Sequence, residues 1–318
     1  MGDSPKHAAY GGPGWSPRTT NLREELGNLW ASCGLDSEWG TLRSVILHRP
    51  GPELETAGED PEGNLLLGNP RLDLLQRQHD ALALAFAEQD VEVRYVNPPA
   101  LPTPNQLFSA DLMAMTPEGA IVGRPASRAR AGEERWMARA LAEAGIPIRR
   151  SVGGSGTFEG ADLMWVGPGR TLLAQGLRTN AEGAAQVSAS LTEMGVEVHS
   201  THLPSGTMHL MGQLRIVDQN LAFAWPRRLP ESAVNLLEGF GLAVHFIPDE
   251  EEARTGFALN HVTLSPRRIL LPAGNPKSQA FFEAHGVECV PVEVGEIGKA
   301  AGSIGCLTGI VEREIIGA

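Results

Sequence analysis

The sequence predicts an α/β fold: a five-bladed α/β propeller built from five pseudo-repeats and closed by the C-terminal strand. Three observations carry that prediction. First, five short apolar strands close five similar segments, at residues 91–96, 146–149, 196–199, 242–247 and 287–292, with starts 55, 50, 46 and 45 residues apart. Regular self-similarity of this length is the signature of a repeat architecture. Second, hairpins stand ahead of four of the five helices. Third, each end of the chain carries a strand without a partner, which a ring resolves by pairing the two and removing the exposed edges.

Taken in order, unit one has a single strand at 42–48, then a helix over 72–89 with Leu75, Leu82 and Phe86 at helical spacing. Units two to five open on hairpins at 111–122, 162–175, 210–225 and 260–271. Their turns are Thr116-Pro-Glu-Gly119, Gly167-Pro-Gly169, Asp218-Gln-Asn220 and Ser265-Pro266, each with the residue chemistry that tight turns require. Helices over 133–144, 181–194, 231–240 and 277–285 follow. Asp90, Gly145, Gly195, Gly241 and Gly286 stand where left-handed C-terminal caps belong. The last strand spans 307–315. Residues 1–20, rich in Gly and Pro, read as a flexible N-terminal tail, and 21–318 as a single α/β-propeller catalytic domain. The start Met-Gly-Asp-Ser also admits N-myristoylation, and the first twenty residues have no apolar core of the kind a signal peptide carries.

With 318 residues, 42% of them hydrophobic, the chain can bury a substantial core. A net charge of −12 argues against nucleic acid and anionic membranes, which attract basic surface, and suits a cationic substrate. Cys33, Cys289 and Cys306 have neither paired spacing nor a metal-knuckle pattern, so a reducing, cytoplasmic compartment is expected.

The residues at the head of each unit carry the chemistry. Asp111, Glu159 (with Asp162 close behind), His209, Asn260 and Cys306 lie 48, 50, 51 and 46 residues apart. In a ring they meet at the centre. A carboxylate, an imidazole and a thiol together are the parts of nucleophilic catalysis. Cys306 lies between the glycine-rich Gly302-Ser303-Ile304-Gly305 and an apolar run, a setting that gives a thiolate backbone donors and access. Arg124, Arg128 and Arg130 precede the second helix and Arg178 the third, where guanidinium groups suit a substrate carboxylate. The long loop 51–69 reads as a mobile lid or as disorder. Cys, His and Glu converge without the tight spacing of a zinc site.

The segments Phe158-Glu159-Gly160-Ala161-Asp162, Leu177-Arg178-Thr179-Asn180, His209-Leu210 and Cys306-Leu307-Thr308 resemble the guanidino-modifying enzymes of the pentein fold. These include the dimethylarginine hydrolases, arginine deiminases and amidinotransferases. The likeness runs from about Glu38 to Glu314 and agrees with the five-unit ring. It implies Cys306 as nucleophile, His209 as general acid and base, and Glu159 as its support. It further implies Asp111 and Asp162 among the substrate-binding residues, Arg130 and Arg178 on the substrate's α-carboxylate, and Phe108 on the pocket wall. The implied reaction is a hydrolysis of an arginine-type guanidinium, methylated or not, through a covalent thiouronium, or else amidino transfer. Three departures bear on the substrate. His209-Leu210-Met211 lacks the Asp that deiminases and amidinotransferases place two residues after this histidine, which favours an alkylated guanidinium. Phe108-Ser109-Ala110-Asp111 lacks the acidic residue that often precedes this Asp in the dimethylarginine hydrolases, and Gly305 stands where deiminases have His. No cofactor or metal is expected. The expected partner is a small guanidino substrate, with no nucleic acid or membrane, and with a homodimer open.

Overall fold

The computed structural model describes residues 6–317. Fifteen strands form five three-stranded sheets. The first is β1 (Leu42–Leu47) and β2 (Glu92–Tyr95). The second is β3 (Met113–Thr116), β4 (Gly119–Val122) and β5 (Ile148–Ser151), and the third β6 (Leu163–Gly167), β7 (Arg170–Gln175) and β8 (Glu197–His202). The fourth is β9 (Leu214–Asp218), β10 (Leu221–Ala224) and β11 (Ala243–Phe246). The fifth is β12 (Val262–Ser265), β13 (Arg268–Pro272) and β14 (Glu288–Val292). The last strand, β15 (Gly309–Arg313), joins the first sheet.

Each sheet has one plan: the first strand is antiparallel to the middle strand, and the third is parallel to it. The parallel step needs a crossover, and a helix supplies it. Those helices are Leu72–Ala87, Glu133–Glu143, Ala181–Thr192, Glu231–Gly239 and Pro276–Ala284. All five expected caps are left-handed, from Asp90 at φ 58° to Gly241 at φ 87°. Middle strands β4 and β10 are buried along their whole length, whereas the third strands β2, β5 and β11 are only half-buried. The core therefore lies between helices and sheets and between neighbouring blades.

Unit one lacks an inner strand of its own, and β15 provides it, pairing antiparallel with β1. The seam is tied further. Glu314 N–H donates to the Thr41 carbonyl (2.8 Å), Gly34 N–H to the Val311 carbonyl (2.9 Å), and the Arg313 guanidinium to the carbonyls of Gly40 (2.9 Å) and Thr263 (2.7 Å). Pairing with β15 thus fixes the two ends of the chain against each other and covers the edge of β1.

Several boundaries differ from the sequence-based expectation. The final strand, expected over 307–315, runs Gly309–Arg313, and Leu307 lies with Cys306 in a single helical turn, Ile304–Leu307. Asp111, Asp162 and Leu210 likewise sit in one-turn helices just before their strands. Apolar residues that are buried on all sides do not reveal from periodicity alone whether they are helix or strand. The first five residues, with the myristoylation motif, lie outside the described residues. The rest of the expected flexible tail includes a 3-10 turn (Ala8–Tyr10), and its Arg18 and Thr20 side chains both bond Glu25.

Candidate active site

The short helices ahead of the inner strands aim their side chains into one place because the blades approach closely there. Gly160 marks that approach: a Cβ on it would lie 2.0 Å from the Met113 carbonyl oxygen, so the residue after Glu159 has no room for a side chain. Asp111, Glu159, His209, Asn260 and Cys306 are all buried around the ring's centre.

Glu159 is the hub on one side. Its carboxylate accepts from His209 Nε2 (2.7 Å), from Arg178 Nη1 (3.2 and 3.3 Å) and from Arg130 Nη1 (3.4 Å), and one of its oxygens also takes the Ala126 N–H (3.1 Å). The other face of the imidazole meets Asp111, with Nδ1 3.7 Å from Oδ1. His209 therefore stands between two carboxylates. Burial opposes its charge, but Asp111 and Glu159 outweigh burial and raise it to about 9. Burial pushes Glu159 the other way from its neighbours, and His209, Arg130 and Arg178 together hold it well below the ordinary carboxylate range. The imidazolium is the resting form at neutral pH.

Cys306 occupies the opposite side. Asn260 braces it twice: its Oδ1 accepts from Cys306 N–H (3.0 Å), and its Nδ2 donates to Sγ (3.1 Å). Burial and the nearby Asp111 raise the thiol above its ordinary value of 9.0, against the lowering effect of the Ser303 backbone bond, Asn260 and Arg215. Burial thus favours the protonated thiol.

The structure places Arg130 differently from its expected role. Rather than standing ready for a substrate carboxylate, it is 2% exposed and pairs with protein carboxylates: Glu133 (2.8 Å), Asp111 (2.6 Å) and Glu159 (3.4 Å). Asp111 thus already holds a guanidinium. Arg178 is turned to Glu159. Asp162, expected among the substrate contacts, takes the Thr179 hydroxyl (2.7 Å) and the Leu210 N–H (3.0 Å) instead. It fixes the backbone next to His209 and lies in neither cavity beside the thiol. Arg124 Nη1 bonds the Gly156 carbonyl (3.0 Å). Phe108 lines a small cavity of about 10 Å³ with Asp111, Arg130, Arg178 and Cys306. Leu65, from the long loop, closes that cavity, with the Asn64 carbonyl bonded to Asn105 Nδ2 (2.7 Å) and Leu67 N–H to the Lys299 carbonyl (2.8 Å). Residues 64–67 of loop 51–69 thus sit over the small cavity.

On its other side Cys306 faces a cavity of about 120 Å³, which His209 and Asn260 also line. The thiol and the imidazole therefore open into one space. Sequence reasoning sets Asn260 in register but gives it no task; its interval from Cys306 is the available signal. It misses Arg215, whose buried guanidinium bonds the Leu259 carbonyl (2.8 Å) and fills the space a side chain at position 305 would need.

Asp111, Glu159 and His209 bring three possible ligand atoms within 4.8 Å of one another. The donor set does not suit a metal cation, because Arg130 and Arg178 already place two positive charges on those carboxylates.

No protein-family model matches the sequence. It is 27% identical over 245 residues to the N(G),N(G)-dimethylarginine dimethylaminohydrolase of Pseudomonas aeruginosa, covering 76% of this chain and 90% of that one. A protein of the same name from Streptomyces coelicolor is 27% identical over 282 residues, covering 84% and 96%. A solved dimethylarginine dimethylaminohydrolase superposes with a TM-score of 0.72 at 25% identity, over 86% of this chain and 100% of the other. These likenesses give the chain the pentein fold of the guanidino-modifying enzymes. The five-sheet ring and its closing strand are the architecture of that fold. Among the described residues no helix of this pentein is long and apolar enough to cross a membrane.

Proposed function

We propose that this pentein is a cysteine-dependent hydrolase that converts N-methylated arginine to citrulline and a methylamine. The observation that carries the reading is the thiol of Cys306 and the imidazolium of His209 lining one cavity, with Met211 beside them where a second guanidinium-gripping carboxylate would otherwise stand. An alkylated guanidinium has fewer N–H donors, so an apolar neighbour leaves fewer of them unpaired. Relatives support it: one solved dimethylarginine dimethylaminohydrolase forms an adduct with S-methyl-L-thiocitrulline, and another is complexed with citrulline.

Binding proceeds by exchange. The substrate guanidinium replaces Arg130 on Asp111, and the freed Arg130, with Arg178, takes the substrate's α-carboxylate. Each buried charge keeps a partner throughout, which matters because an unpaired one costs about 3–5 kcal/mol. A cationic carbon beside Sγ favours the thiolate, whose proton leaves to solvent. The thiolate attacks the guanidinium carbon and forms the C–S bond. His209 then protonates the methylated nitrogen as its C–N bond breaks, leaving a thiouronium. The neutral imidazole takes a proton from water, the hydroxide adds to the carbon, the C–S bond breaks as the hydroxyl proton passes to the departing sulfur and restores the thiol, and citrulline leaves. Glu159 stabilises the imidazolium, and Phe108 walls the substrate's hydrocarbon arm. The three free cysteines fit a reducing, cytoplasmic setting.

The test is a product assay with arginine, monomethylarginine and asymmetric dimethylarginine, each with and without an acceptor amine. Citrulline with methylamine or dimethylamine supports the proposal. Ornithine formed only with the acceptor makes the protein an amidinotransferase, and no product with any substrate makes it a binding protein.

A further inference from the structure

We infer that the apolar cavity beside Cys306 is the subsite for the substituent on the departing nitrogen, and that it takes uncharged apolar groups larger than methyl. The inference rests on the hydrolase reading above and deepens it. Two cavities meet at the thiol. The small one holds the charged machinery, with Asp111, Arg130 and Arg178, and the larger one is lined by Met208, Met211, Trp225 and Phe257 together with His209. Both share Met208, Ala301 and Cys306. A guanidinium carbon placed at Sγ therefore has its amino-acid arm toward the arginines. Its departing nitrogen lies toward His209, the group that must protonate it.

Size and lining define the ligand class. This cavity measures about 120 Å³ and opens partly to solvent, more than one or two methyl groups need and close to the ~150 Å³ of a closed apolar cavity that admits benzene, with the open side free to take the rest of a ring. Two methionines adapt to different shapes, and the Trp and Phe rings offer flat apolar walls. The charged groups at its edge are His209 and Arg254, with no carboxylate among the lining residues, so a cationic substituent is repelled. The class that fits is an Nω-alkyl or Nω-aralkyl arginine, from propyl to benzyl. Hydrolysis then breaks the C–N bond to the substituted nitrogen, forms the C–O bond from water, and releases citrulline with the alkyl- or aralkylamine, which carries away the proton from His209.

The experiment measures kcat/KM for Nω-methyl, Nω,Nω-dimethyl, Nω-propyl and Nω-benzyl-L-arginine by citrulline release. Added methylenes in a matching hydrophobic pocket are worth about 10- to 200-fold, so the propyl and benzyl compounds are expected to exceed monomethylarginine by at least about tenfold. In Phe257→Trp, and independently in Met211→Asp, the ratio of benzyl to dimethyl kcat/KM is expected to fall by about tenfold or more. Turnover of dimethylarginine with propyl and benzyl progressively worse overturns the inference and leaves the hydrolase reading standing. Equal benzyl-to-dimethyl ratios in wild type and both variants also overturn it. Absence of citrulline from all four compounds overturns the hydrolase reading itself.

Discussion

The two sides of Cys306 are built on opposite principles. Toward the arginines, every charged group is held by another: Glu159 by His209, Arg130 and Arg178, and Asp111 by Arg130. Toward Phe257 and Trp225 the walls are hydrocarbon and aromatic, and there is room. Under the proposed exchange, the first side recognises a zwitterion bearing a cation by trading its own ion pairs for the substrate's. The second, mostly apolar and edged by His209 and Arg254, suits an uncharged substituent. A buried polar site of this kind is specific but demanding, since removing any one partner strands another.

The largest expected effect separates the thiol from both sides. Cys306→Ser should lower kcat by about 10⁴-fold or more, since loss of a nucleophile removes a step the rest of the site cannot replace. Steady-state citrulline release checks it. Next comes the hub of the polar side. Glu159→Gln should lower kcat by about 10²- to 10⁴-fold, the range of a general acid-base contribution. It should also move the His209 titration, followed by NMR, below about 9, because one of the carboxylates that raise it is gone. An unchanged titration would mean that Glu159 does not support the imidazolium.

Arg130→Ala tests the exchange. It should destabilise the fold by about 3–5 kcal/mol in urea, because buried Glu133 and Asp111 lose their counter-charge. It should also raise KM for methylated arginine more than for a methylated guanidine without a carboxylate. Equal rises in KM would show that Arg130 does not read the carboxylate.

The smallest effect is a pH dependence of stability, and its sign follows from the buried titratable groups. His209 is raised to about 9 in the folded chain, so its contribution is full below about pH 6.5 and is lost as pH rises through about 9. Burial raises Glu133 to about 7 and Asp162 to about 6, so folding binds protons there too, and their contribution also falls as pH rises through those values. Buried His79 and His261, whose burial holds them neutral, add stability as pH rises towards about 6.5, so thermal melting should show Tm falling from about pH 7 to pH 9, with a weaker slope in His209→Gln. A Tm that rises across that window would contradict these assignments.

Much of the ring is legible in the sequence because repeats advertise themselves. The left-handed caps, the hairpin turns and the unpartnered end strands each point to the same closure, and β15 beside β1 fulfils it. The register of Asp111, Glu159, His209, Asn260 and Cys306 brings all five to the centre for the same reason. What stays hidden depends on pairings between distant residues. Arg130 bonds Asp111 and Glu133 as well as Glu159, so its sequence position says where it is but not which carboxylate it takes. Asp162 and Asp111 occupy similar places in their units, yet the Thr179 hydroxyl and the Leu210 N–H draw Asp162 away from the pocket. The one-turn helix that holds Cys306 reads as loop and strand because four buried residues are too few to show a period.

Covalent bonding of Cys306 to the guanidinium carbon is the central claim, and denaturing mass spectrometry of enzyme quenched during turnover tests it most directly. With asymmetric dimethylarginine as substrate, a thiouronium mass increment is expected on the peptide that contains Cys306, and none in Cys306→Ser. The increment should accumulate further in His209→Ala if attack outlasts hydrolysis. Citrulline formation by Cys306→Ser at the wild-type rate, with no increment on any peptide of the native enzyme, would contradict the claim.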